Sequence, residues 1–209
     1  MIAIVDYGMG NLNAFANIYR RLQIDHKIVS SADELREVDG IILPGVGAFD
    51  HAMSRLNDSG LRDALDDCVL GEKIPVIGIC VGMQMLAKSS DEGVLPGLGW
   101  VDGVVRKMTL SNSQKKLPLP HMGWNEMNQC ISHRLLDEIQ QGGTFYFLHS
   151  YYFECENSKS IMASAHYGED FACIVYSENV YGIQCHPEKS HHNGIRLLEN
   201  FAHLCHAEV

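Results

Sequence analysis

The chain has 209 residues, 46% of them apolar, and carries 26 acidic against 16 basic side chains for a formal net charge of −10. That length supports one domain spanning residues 1–209 around a sizeable core, and the acid excess argues against a nucleic-acid partner, because phosphate binding needs a basic surface. No apolar run reaches the roughly 20 residues of a membrane helix, no signal pattern precedes the first apolar segment, and seven cysteines without CxxC spacing read as reduced thiols, so a cytoplasmic protein without membrane contact is expected.

In chain order, residues 2–6 read as a buried strand, 12–22 as an amphipathic helix, and 27–30 and 40–43 as strands. Helical stretches at 49–57 and 61–69 precede a strand at 75–79 that breaks on glycines into another helical pattern. This βαβ rhythm predicts an α/β fold with a doubly wound, mostly parallel sheet and helices on both faces. Residues 111–116 read as a polar surface loop. Beyond Trp100 the segments 101–108, 144–150, 161–167, 171–176 and 180–185 are β-rich, and a terminal helix follows near 194–203, so a mixed or antiparallel extension is expected. Ligands of such sheets collect at the carboxyl ends of the strands. Residues 7–10, residues 44–47 and Cys80 each follow a strand and should converge on one rim.

The chemistry centres on Cys80 in GICVGMQ, where Gly78 and Gly82 frame a sharp strand-to-helix turn of the nucleophile-elbow kind. A helix N-terminus beneath a thiol favours its thiolate; the plainer alternative is a small buried hydrophobe. His186 and Glu188 follow the last strand-like run. Pro187 holds His186 extended, and residues two apart in an extended chain share a face. The Glu188 carboxylate can then orient the ring and stabilise its charged form. Nucleophile, base and orienter are thereby available. The glycine-rich turn at PGVG offers backbone N–H groups, with Val46 or Gly47 and the amide of Val81 as candidate oxyanion donors; an ordinary βα loop is the alternative. His186, His191 and His192 lie close in sequence but in no HxxxH or HExxH frame, so no metal is expected.

These blocks, GICVGMQ with Cys80, HPEKS with His186 and Glu188, PGVGAF, DYGMGN and PHMGWN, together resemble the triad-type, or class I, glutamine amidotransferases nearly from end to end, with the histidine-biosynthesis branch nearest. The resemblance implies a glutaminase that needs no cofactor. It implies that Gly45 and Gln84 contact glutamine, that Glu92 meets the α-amino group, and that Ser150 and Tyr151 hold the α-carboxylate end. It also implies a (β/α)8-barrel synthase partner that receives the ammonia, met by Tyr7, Asn11, Pro120, Met122, Trp124 and Asn125. Cys185 stands where the family usually has an aromatic, and Asn13 where the histidine branch often has a basic residue. LPLPHMGWN and GLGWVDG are also similar to a branch supplying ammonia to amidino sugars, which leaves the acceptor open. The rival readings are a catalytically silent scaffold subunit, a γ-glutamyl peptidase on the same fold and a cysteine redox sensor.

Overall fold

The computed structural model describes residues 1–109 and 117–206; the polar loop expected at 111–116 lies outside them. The first half comprises β1 (Ile2–Val5), α1 (Leu12–Leu22), β2 (His26–Val29), β3 (Gly40–Gly45), α2 (Phe49–Asp58), α3 (Arg62–Asp66), β4 (Val76–Cys80) and α4 (Val81–Met85). Seven strands follow: β5 (Gly103–Lys107), β6 (His121–Gln129), β7 (Gly143–His149), β8 (Tyr151–Cys155), β9 (Ile161–His166), β10 (Asp170–Ser177) and β11 (Val180–Ile183), before α5 (His191–His206).

Strands β1, β3, β4 and β11 are buried along their whole length, as strands covered on both faces must be. With β2 at the edge they run parallel in the order β2-β1-β3-β4-β11. Beyond β11 the sheet turns antiparallel through β10, β9, β6 and β7, with β8 joining β10 to β5. The expected doubly wound sheet and its antiparallel extension are both present. Gly40 and Gly45 are five apart on β3 and so point to opposite faces. A Cβ on Gly40 would strike Cys205 of α5, whereas one on Gly45 would strike the backbone of Gly82 in α4. Helices therefore cover both faces, α5 on one and α4 on the other.

Several boundaries differ from the sequence reading. The helix expected at 61–69 ends as α-helix at Asp66 and widens into a π turn, Asp67–Gly71, that keeps Cys68 and Val69 in the core. The helix after Cys80 has only five residues, because Leu86 and Ala87 donate to carbonyls three residues back and tighten its last turn. Strand β6 had no counterpart in the reading. Residues 144–155 form two strands that part at Ser150, β7 pairing with β6 and β8 with β5. Among the described residues, no helix is long and apolar enough to cross a membrane.

Candidate active site

The pairing of β4 with β11 brings the two distant motifs together. Its register sets Ile79 beside Ile183, so Cys80 and Gln184 leave adjacent strands side by side and His186 follows two residues later. Cys80 has φ 55° and ψ −112°, a backbone region that L-residues seldom occupy. The elbow is held from below by backbone contact. A Cβ on Gly82 would meet the Leu43 carbonyl, and one on Gly78 would meet the Gly82 carbonyl, so α4 rests directly on β3 and β4.

A cavity of about 340 Å³ opens at this rim, lined by Val46, Gly47, Cys80, Val81, Gln84, Glu92, Pro120, Leu148, His149, Ser150, Tyr151 and His186. Its size suits a small polar ligand. His186 Nδ1 lies 2.8 Å from Glu188 Oε1, which leaves Nε2 for the hydrogen bond between the ring and Cys80. Burial alone would lower the His186 pKa, but hydrogen bonds to Cys80 and Glu188 and their negative charges outweigh it and raise the value to about 10. The His186–Glu188 contact arises by a different route from the one expected: residues Pro187–Lys189 form a 3₁₀ turn, and the turn, not an extended chain, folds the carboxylate back under the ring. The ring's backbone is fixed by His186 N–H donating to the Tyr146 carbonyl at 2.8 Å and by Ser190 Oγ donating to the His186 carbonyl at 2.6 Å. Because α4 is so short, little helix dipole accumulates beneath the sulfur, and His186 is its main charge partner.

Gln84 is 3% exposed, not a solvated helix residue. Its Nε2 donates to the Tyr151 carbonyl at 3.2 Å and to Gln184 Oε1 at 3.0 Å, so its own carbonyl oxygen remains for a ligand. Glu92 Oε2 accepts the Phe49 N–H at the start of α2 at 2.9 Å, while Asp50 of that helix accepts the amides of Val94 and Leu95. This exchange pins the 90–95 segment beside the cavity. Gly45 does not line the cavity; it lies beneath the wall, packed against Val81 and Gly82. Val46 is 41% exposed, and Gly47 has φ 81°.

Of the residues expected at a partner face, Asn11, Pro120, Met122 and Trp124 are exposed and Asn125 is half-buried. Tyr7 is a correction: it is 2% exposed, and its hydroxyl donates to the Pro44 carbonyl at 2.6 Å. Burial and the nearby Cys80 raise its pKa above the ordinary tyrosine value. It braces the PGVG turn from inside the fold. Sequence reasoning gave no role to His149, Gln184 or Ser190. Position offered a signal for two of them, since His149 sits in the FLHSYY block and Ser190 in HPEKS. Burial pushes the Cys155 thiol up to about 12.

The family model for class-I glutamine amidotransferases matches residues 3–205. The chain is 55% identical over 204 residues to the imidazole glycerol phosphate synthase subunit HisH of Bdellovibrio bacteriovorus, covering 98% of this chain and 100% of that one. It is 52% identical, at the same coverage, to the protein of that name from Leptospira borgpetersenii. A solved glutamine amidotransferase superposes with a TM-score of 0.74 at 18% identity, covering 99% of this chain and 100% of the other, a likeness of fold.

Proposed function

Because the chain belongs to the class I glutamine amidotransferase family, we propose that it is the glutaminase subunit of an imidazole glycerol phosphate synthase, hydrolysing glutamine to glutamate and ammonia for histidine biosynthesis. The observation that carries this reading is the Cys80–His186–Glu188 chain of contacts in a cavity of amino-acid size.

In this reading the Cys80 sulfur attacks the side-chain amide carbon of glutamine. The oxyanion that forms is held by backbone N–H groups of Val46 or Gly47 and Val81. As it collapses the C–N bond breaks, and His186 gives its proton to the departing nitrogen, which leaves as ammonia. Water then attacks the γ-glutamyl thioester while His186 takes its proton. The C–S bond breaks, glutamate is released and the sulfur regains its charge. Glu188 keeps the ring oriented through both steps. Gln84 and Glu92 present acceptor oxygens to the amino-acid end of the substrate, and Ser150 and Tyr151 hold its carboxylate end.

Ammonia protonated in water is no nucleophile, so it must pass to its acceptor without release. A (β/α)8-barrel cyclase partner seated over the cavity meets that need. Val46 at 41%, Leu119 at 39%, Met122 at 65% and Trp124 at 49% exposure supply apolar surface, and Val46 and Pro120, the neighbour of Leu119, line the cavity. Action in the cytoplasm, where glutamine and the acceptor are made, completes the reading.

The test is the purified complex of this chain with the cyclase, supplied with the acceptor. Glutamine as sole nitrogen donor should yield imidazole glycerol phosphate with wild type and none with Cys80→Ala, while an ammonium salt restores the Cys80→Ala complex. Product from glutamine with Cys80→Ala would refute the assignment.

A further inference from the structure

Two buried histidines beside the cavity have no part in the chemistry above. His121 and His149 are 3% and 6% exposed. His121 Nδ1 lies 3.0 Å from His149 Nε2, and His149 Nδ1 lies 2.9 Å from the Tyr151 carbonyl. At the outer end, Asn125 Nδ2 lies 3.3 Å from His121 Nε2.

The partners fix every proton in this chain. A carbonyl only accepts, so His149 Nδ1 carries hydrogen, and its Nε2, in a neutral ring, must accept from His121 Nδ1–H. His121 Nε2 is then bare and accepts from Asn125. The Asn125 amide cannot turn over without loss, since its Nδ2 also donates to the His166 carbonyl at 2.9 Å and its Oδ1 accepts the Glu126 N–H at 2.9 Å. Both rings must be neutral, because a proton added to either would oppose a neighbouring donor. Their surroundings agree: His121 stacks on Phe147 and Tyr167, His149 packs on Phe171, and the charged group facing His149 is His186. The Tyr151 carbonyl thus receives His149 Nδ1–H and Gln84 Nε2–H together.

We propose that Asn125, His121 and His149 form a directional hydrogen-bond relay that positions the Tyr151 carbonyl, and through it the Gln84 amide, for binding glutamine, tying the β6 rim to the substrate cavity. His121 and His149 are positioning residues. This inference rests on the glutaminase reading.

Asparagine places its N–H where histidine has Nδ1, and glutamine places its amide where histidine has Nε2. In the complex with cyclase and acceptor, His149→Gln should raise the KM for glutamine about tenfold, the upper end for one lost hydrogen bond, with little change in kcat. His149→Asn, though smaller, should stay near the wild-type KM. If His149→Asn is impaired as much as or more than His149→Gln, the ring only fills space and the relay is refuted. If neither variant folds, nitrogen-15 NMR of histidine-labelled wild-type protein decides. Nδ1–H tautomers for both rings and a coupling across the His121 Nδ1···His149 Nε2 bond support the relay, whereas an Nε2–H tautomer in either ring overturns it. A wild-type complex without glutaminase activity would sink the functional reading, and the NMR experiment would still judge the relay.

Discussion

His186 carries opposite instructions from its surroundings, and the balance sets how the protein responds to pH. Its pKa, raised to about 10, lies above the unfolded value of about 6.5, so the folded chain binds the proton more tightly. The stability this contributes is fully present below pH ~6.5 and is lost as pH rises through about 10. The Tm advantage of wild type over His186→Gln should therefore narrow between those values; a constant gap would show that the ring is not held charged. The buried pair behaves oppositely. Burial pulls His121 down to about 4 and His149 to about 3, so the unfolded chain takes up protons first as pH falls below ~6.5. Acid should destabilise wild type more steeply than His121→Asn, as denaturant melts at pH 7 and pH 4.5 would reveal.

At the scale of elements, the elbow stores backbone strain. Cys80 occupies φ 55°, ψ −112°, which glycine adopts far more readily than a residue with a Cβ. Cys80→Gly should be more stable than Cys80→Ala by about 1 kcal/mol, a Tm difference of roughly 2–4 °C; equal melting would mean the turn is unstrained. Gly82→Ala should cost about 1–3 kcal/mol through overpacking against Leu43, read by urea unfolding. The parallel strands were legible because burial on both faces makes each a continuous apolar run. Strand β6 was not, since its pattern is inverted: His121 points inward while Met122 and Trp124 are exposed. His121 and Asn125 build the relay while Met122 and Trp124 reach the surface and only Met127 is a buried apolar residue, so the usual alternation rule misleads. Strand β8 was equally invisible: the strand expected at 144–150 ends where β7 does, but the chain runs on at once to a new partner without a glycine or proline to mark the change.

Across the whole molecule, the parallel half supplies Cys80 and the PGVG turn, and the antiparallel half supplies His149 and Tyr151. The β4–β11 pairing closes a loop of about a hundred residues to set His186 against the sulfur. Local pattern suggested which residues belong together, but only this long-range register could bring them into contact. The exposed apolar rim is where the proposed cyclase would sit. Trp124, stacked on His191 at 5.0 Å, is placed to act as an anchor, and Trp124→Ala should weaken the complex about 10- to 100-fold, measurable by calorimetry; unchanged affinity would put the partner elsewhere. The most direct measurement is intact-protein mass spectrometry of the complex, quenched in acid during glutamine turnover. The expected result is a population of this chain heavier by glutamine less ammonia, mapped to the Cys80 peptide and missing from Cys80→Ala. Steady glutamate release with no such adduct on Cys80, or release undiminished in Cys80→Ala, would contradict covalent catalysis at this cysteine.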